Sequence, residues 1–268
     1  MIISKSDIEN YNEDGVILIK GLLNNLEVKI LQEGIEYNIS NPSLLSKIAS
    51  SEKDPGWFFE DFCTWQKNKA YKRIIFKSDM PKVASRLMCS KQVRVYHDHM
   101  LVKKSGTKQR TPWHQDQPYY NIEGQQSISF WVPVDPIPLE SSLNFVSGSH
   151  KGKWYLPRTF LKKEAKWFPK GSLEEAPDIS NNLSKYKILS WELEPGDALA
   201  FHMLTLHSGA GSKNLRRVFS VRFIGDDIRH APRNWKTSPE FKGLSKDLPA
   251  GMPMEHKLFP VTWPKKSK

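Results

Sequence analysis

The second half of the chain constrains the fold more than any other feature. From Gln92 onward, short strand-like runs follow one another: Val93–Lys103, Ser127–Val134, Leu143–Val146, Lys187–Leu193, Ala198–His202 and Val218–Ile224. Pro or Gly punctuates most of the gaps between them. So many short strands in succession close into a barrel or stack as a jelly roll. The first part reads differently. Ser6 is placed to cap a short helix, with Glu9 completing a capping box. Val16–Ile19 then reads as a brief strand, about 25–37 as a helix, and about 68–88 as a further helical region. Helices first and strands after give a mainly β, α+β chain, with a helical layer packed on an antiparallel barrel or jelly roll.

No repeat, low-complexity tract or linker divides the sequence. The expectation is a single domain over 1–268, with helical support over roughly 1–90, a β core over roughly 91–230 and a C-terminal extension over 231–268. Lys151–Ser184 is long, basic and irregular, and reads as a lid over a pocket or as a surface insertion.

Composition removes several function classes. No apolar run approaches the ~18 residues that span a bilayer, and Met1 is followed by no basic stretch, long apolar run or small-residue cleavage site. The two cysteines, Cys63 and Cys89, build neither a disulfide framework nor a Cys-rich zinc site, and read as thiols of a reducing, cytoplasmic compartment. A net charge of +11 invites a nucleic-acid partner. That charge is mostly scattered lysine, with one dense knot at Lys265-Lys266-Ser267-Lys268 and no zinc-finger, RNP or basic-helix pattern. The reading is a solvated surface favouring an anionic small molecule over nucleic acid.

The sharpest local signal is Thr111-Pro112-Trp113-His114-Gln115-Asp116-Gln117-Pro118-Tyr119-Tyr120. In an extended segment His114 and Asp116 leave the same face, as a metal taking one imidazole and one carboxylate requires. His207, just after a later strand, supplies a third ligand, and two histidines with one carboxylate suit a non-haem Fe(II) site with open positions. A lone His-x-Asp also arises by chance on surface loops. His97 and His99 form a rival pair, equally open to a pocket-lining role, while His150 and His202 read as turn and packing residues. Beyond His207 the strand 216–223 sorts by alternation. Arg217, Phe219, Val221 and Phe223 face the helical layer, and Arg216, Val218, Ser220 and Arg222 face the barrel interior. The same sorting puts Ser127, Ser129 and Trp131 inside. A buried arginine needs an anion; either an internal Asp or Glu or a bound carboxylate would satisfy Arg216, with Ser220 as a hydroxyl donor.

These stretches resemble the phytanoyl-CoA dioxygenase family of Fe(II)/2-oxoglutarate oxygenases. The likeness is carried by Trp113-His114-Gln115-Asp116, Phe130-Trp131-Val132-Pro133-Val134-Asp135, Leu143-Asn144-Phe145-Val146-Ser147-Gly148-Ser149-His150-Lys151-Gly152, Pro195-Gly196-Asp197-Ala198-Leu199-Ala200-Phe201-His202, and His207-Ser208-Gly209 through Arg216-Arg217. Tyr11-Asn12-Glu13-Asp14-Gly15-Val16 is similar to the family's opening. The resemblance implies a double-stranded β-helix, the cupin-like jelly roll. It also implies iron on His114, Asp116 and His207, the far carboxylate of 2-oxoglutarate on Arg216, cosubstrate contacts from Gln115, Trp131 and Ser220, and O₂ as oxidant. The order Ser208-Gly209 departs from the family's usual Gly-then-Ser, and the intact Asp116 disfavours a halogenase variant.

The activity so implied is hydroxylation of a small metabolite, polar and open to an anionic one, with release of succinate and CO₂. Tyr119, Tyr120, Asn121 and Arg222 are the candidate substrate contacts. The aromatic and acidic stretch from Pro55 to Trp65 either lines the pocket or packs against the helices. Two rivals stand beside this reading: a zinc-dependent hydrolase, since the same ligand set suits catalytic zinc, and a non-enzymatic metal- or small-molecule-binding barrel. A buried Arg216 favours the oxygenase, because hydrolysis has no use for a cation placed to take a dicarboxylate.

Overall fold

The computed structural model describes residues 3–157 and 172–265. The chain runs α1 (Lys5–Asp14), β1 (Val16–Ile19), α2 (Asn25–Ser40), β2 (Lys47–Ile48), β3 (Phe58–Phe62), α3 (Lys69–Lys77) and α4 (Met80–Leu87). It continues through β4 (Val93–Lys103), β5 (Thr111–His114), β6 (Ile122–Glu123), β7 (Ser127–Pro133), β8 (Leu143–Val146) and β9 (Ile188–Leu189). The remaining elements are β10 (Ala198–His202), β11 (His207–Gly209), β12 (Arg216–Ile224), β13 (Arg229–His230), α5 (Leu244–Asp247) and β14 (Val261–Trp263). The larger antiparallel sheet has the order β1-β10-β7-β12-β4-β3-β2, with β14 also on β4; the smaller has β5-β11-β8-β9. This is the expected jelly roll with a helical layer. No helix among the described residues is long and apolar enough to cross a membrane.

Two apolar layers hold the sheets in place. On the outer face of the larger sheet, Phe130, Val132, Phe219, Val221 and Phe223 pack against Leu31, Ile35, Tyr71 and Val83 of the helices. Tyr71 meets the Phe219 ring at 4.4 Å. Between the sheets, Trp131, Leu143, Phe145, Phe201 and Val218 form a second cluster. The alternation read for β7 and β12 therefore divides their residues between helix side and barrel side. The C-terminal segment brings Leu244, Met254 and Phe259 against Tyr96, Tyr120 and Ile122.

Some boundaries differ from the sequence reading. The first helix is capped by Ser4, not Ser6, and the box partner is Asp7, whose carboxylate takes the Ser4 backbone N–H at 2.9 Å. Glu9 pairs instead with exposed Lys5. The region 68–88 is two helices, broken at Ser78 and Asp79. Pro81 lies early in α4, where its missing N–H costs nothing; inside one continuous helix it would remove a bond and clash with the preceding turn. The run Lys187–Leu193 is a strand only over Ile188–Leu189, with Leu193 held separately in an antiparallel bridge to Ile137. Phe58–Phe62, read as helix packing or pocket lining, is a strand on the edge of β4. Of Lys151–Ser184, residues 158–171 lie outside the described residues; Tyr155 and Glu174, on either side, form a parallel bridge. Residues 266–268 of the basic knot also lie outside them.

Candidate active site

β5 and β11 are antiparallel neighbours with His114 directly opposite His207. Their rings lie side by side, with centroids 4.2 Å apart. Each ring is fixed by a backbone carbonyl two residues earlier: His114 Nδ1 lies 2.8 Å from Pro112 O, and His207 Nδ1 2.9 Å from Thr205 O. A carbonyl can only accept, so each Nδ1 carries the proton and each Nε2 a lone pair. Asp116 joins them by a route other than strand alternation. β5 ends at His114, Asp116 has a helical backbone conformation and opens a 3₁₀ turn over Gln117–Tyr119, and Met203 O accepts from the Asp116 and Gln117 amides. The turn, rather than a continuing strand, swings the carboxylate back toward the imidazoles.

The two oxygens of Asp116 are not equivalent. Oδ2 accepts from the Ser129 hydroxyl at 2.8 Å and from Arg222 Nη2 at 3.1 Å. Oδ1 is left facing His114 Nε2 at 3.7 Å and His207 Nε2 at 3.9 Å. One ligand atom from each of the three residues lies within 4.8 Å of the others, and all three residues are buried. Burial lowers His114 to about 3, with the neighbouring His207 charge adding to it, and burial likewise lowers His207. Burial would raise Asp116, but the Arg222, His207 and His114 charges and the Ser129 hydrogen bond hold it well below the usual carboxylate range. At neutral pH the set is two neutral imidazoles and one carboxylate, whose lone pairs converge without a proton between them. Such a cluster is repulsive alone and suited to a divalent cation.

The three residues line a cavity of about 350 Å³ that also reaches Trp131, Arg216, Ser220, Tyr119 and Tyr120. Arg216 is 4% exposed and donates from Nη1 to Ser141 O at 2.5 Å, with Ala210 O at 3.5 Å. Its guanidinium lies 5.6 Å from the Trp131 ring centre. Burial lowers it to about 10, and among the described residues no carboxylate forms an ion pair with it. Arg217, one residue on, is the opposite case: it points outward and pairs with Asp135 and Glu36, both at 2.6 Å.

The other candidates divide between the cavity and its surroundings. Gln115 does not line the cavity. Its amide donates to Lys153 O and Leu204 O and accepts from Tyr155 N, pinning one flank of the 151–184 segment. Asn121 is likewise turned away, bonded to the Tyr96 hydroxyl and to His230. Arg222 lines the cavity, but its guanidinium is committed to Asp116 and to the Ser220 hydroxyl. Ser220 donates to Phe130 O. His97 is buried beside Tyr120, with Nδ1 on Asp98 O. His202 is bound to Gln125 O and the Leu204 amide, and its ring packs near His150. His99, by contrast, lines the cavity together with Lys47, Glu60 and Phe62. Sequence reading gave no role to Lys47, placed Ser129 inside the barrel without naming Asp116 as its partner, and left Glu60 within a stretch read as pocket lining or helix packing. A period-2 reading of Phe58-Phe59-Glu60-Asp61-Phe62 would have put Glu60 and Phe62 on one face.

A family model described as Phytanoyl-CoA dioxygenase (PhyH) matches residues 11–218. No curated protein matches the chain in sequence. Among solved structures, the non-heme alpha ketoglutarate dependent carbocyclase SnoK from nogalamycin biosynthesis has a TM-score of 0.75 at 20% identity, covering 97% of this chain and 96% of that one. The epimerase SnoN, in complex with Fe3+, alpha ketoglutarate and nogalamycin RO, has a TM-score of 0.74 at 19% identity, with 95% and 96% covered. EvdO2 from Micromonospora carbonacea var. aurantiaca, complexed with 2-oxoglutarate, has a TM-score of 0.62 at 17% identity, with 88% and 98% covered. These likenesses establish the shared fold.

Proposed function

The chain belongs to the phytanoyl-CoA dioxygenase family, and we propose that it is an Fe(II)- and 2-oxoglutarate-dependent dioxygenase that hydroxylates a small metabolite. Iron would be held by His114 Nε2, His207 Nε2 and Asp116 Oδ1. With 2-oxoglutarate and O₂, the metal supplies the oxidising power, and succinate and CO₂ are released. The chain's own part is orientation. Pro112 and Thr205 carbonyls lock both imidazoles in one tautomer. Ser129 and Arg222 occupy the outer oxygen of Asp116, so the carboxylate offers a single ligand atom and leaves coordination positions for the cosubstrate. Arg216, with Trp131 against it and Ser220 two turns of the pleat along β12, would take the distal carboxylate. Burial of all these groups excludes water from the charges they meet.

The observation that carries this reading is the pairing, in one cavity, of a lone-pair triad with a buried arginine that no carboxylate among the described residues neutralises. A zinc hydrolase would use the triad and leave Arg216 unexplained. The neighbouring structures named as a carbocyclase and an epimerase share the fold. Which outcome follows is set by how a substrate is held, and hydroxylation needs no second reacting group on it. The test is succinate formation from 2-oxoglutarate under air. Fe(II) should support it, Zn(II) should not, and added substrate should stimulate it. Fe(II)-independent turnover, or none with any of a broad metabolite panel, contradicts the proposal.

A further inference from the structure

The larger sheet gives the cavity a second polar group, built from three adjacent strands: Lys47 on β2, Glu60 on β3 and His99 on β4. Glu60 is fully buried, with Oε2 3.0 Å from His99 Nε2 and Oε1 2.8 Å from Lys47 Nζ. The Lys47 side chain is 45% exposed, so its ammonium sits at the rim. Burial would raise the Glu60 carboxyl, but the His99 hydrogen bond and the Lys47 charge outweigh it and hold it near 2. Burial also lowers His99. At neutral pH the pair is a carboxylate and a neutral imidazole. A carboxylate only accepts, so the imidazole proton is on Nε2 and Nδ1 carries the lone pair. Phe62 stacks on the His99 ring at 4.0 Å, and Nδ1 has no hydrogen-bond partner among the described residues. An ion pair tying β2 to β3 would need only Lys47 and Glu60. Adding an oriented imidazole gives the cavity a fixed hydrogen-bond acceptor.

The surroundings narrow what that acceptor can take. Much of the cavity wall is apolar, with Ile48, Phe62, Leu101, Leu143 and Phe201 contributing. The lining cations Lys47, Arg216 and Arg222 outnumber the carboxylates Glu60 and Asp116 by one. A divalent metal with a dianionic cosubstrate leaves that excess unchanged, so an ammonium donor is disfavoured. A carboxylate or phosphate brings only acceptors to a lone pair. An uncharged O–H meets both conditions.

We propose that the substrate is a largely apolar alcohol whose hydroxyl donates to His99 Nδ1 while its carbon body lies against Phe62, Ile48 and Leu101. His99 is then a specificity residue, and Glu60 positions it by fixing its tautomer. This rests on the reading of the same cavity as the active site. The test therefore uses no metal: full-length, metal-free protein with ¹⁵N-labelled histidine rings, titrated with cyclohexanol and with methoxycyclohexane, an ether that keeps the ring and oxygen but has no O–H. His99 should be found as the Nε2–H tautomer, and its Nδ1 resonance should shift saturably with cyclohexanol and not with the ether. His99→Phe identifies the resonance and should lower cyclohexanol affinity to that of the ether, by about three- to tenfold for one hydrogen bond. If that variant does not fold, His99→Gln identifies the resonance, and the wild-type titration of that resonance decides. An Nδ1–H tautomer, equal shifts from both probes, or no shift at high cyclohexanol overturns the proposal. Failure to bind iron would appear in separate metal experiments and leave this result standing.

Discussion

Replacing Arg216 by Lys separates the cosubstrate role from a general structural one. Arg216 is 4% exposed, and its guanidinium holds the Ser141 carbonyl through one nitrogen and lies over Trp131, so under the proposed function its remaining N–H groups would form the planar fork that takes a carboxylate. Lysine keeps the charge but offers a point donor on a flexible stem, which is not conservative at a forked site. Losing one charge-assisted hydrogen bond costs ~1.5–3 kcal/mol, or roughly a 10- to 150-fold rise in the apparent KM for 2-oxoglutarate. The KM for the principal substrate should move much less. Arg217→Lys is the internal control on the opposite strand face. It disturbs a partly exposed pair with Asp135 and Glu36, worth at most about 1 kcal/mol of stability, and should leave 2-oxoglutarate saturation near wild type. The assay is succinate formation against 2-oxoglutarate concentration for both variants. Equal effects at the two positions, or a larger effect at Arg217, would refute the assignment of Arg216 to the cosubstrate.

Two further outcomes follow from buried charges. Asp116→Gly should abolish hydroxylation and also lower thermal stability, because it leaves buried Arg222 without its carboxylate; stranding one partner of a buried pair costs about 3–5 kcal/mol, and an unchanged melting temperature would contradict that pairing. Asp98 is buried and accepts from the Thr64 amide and hydroxyl and the Trp65 amide, yet burial still lifts its carboxyl to about 6. A carboxyl raised on folding contributes its stability in full below its unfolded value and loses it as pH rises through the folded one. Relative to Asp98→Asn, wild type should therefore lose up to about 3 kcal/mol between pH 4 and 7. Urea unfolding across that range checks this, and a constant difference would refute it.

Strands with one face on the helices and the other on the barrel interior were legible because burial on the helix side enforces the period. β4, β8 and β10 have the boundaries read from sequence, and β12 divides as its alternation predicts. β3 was not legible because an acidic residue sits on each of its faces: Glu60 lies inside with His99, while Asp61 lies under α2, bonded to Asn38 and Ser43. Two-residue strands such as β2 and β9 carry no period to read. Within the candidate site, His114 and His207 stood out by type and spacing. The turn at Asp116 did not, because it depends on the distant Met203 carbonyl. The same turn sends Gln115 outward to Lys153, Tyr155 and Leu204. Arg222 could be placed inside the barrel from sequence, but its attachment to Asp116 is a tertiary contact between residues 106 positions apart.

The central claim is that His114, Asp116 and His207 hold iron while Arg216 brings 2-oxoglutarate to it. The most direct measurement is the visible spectrum of anaerobic protein with Fe(II) and 2-oxoglutarate. A weak metal-to-ligand charge-transfer band should appear on adding the cosubstrate, be absent with Zn(II), and be lost in His114→Ala and His207→Ala while the far-UV circular dichroism is retained. No band in wild type at saturating Fe(II) and 2-oxoglutarate, or a band that survives either alanine substitution, would contradict the account.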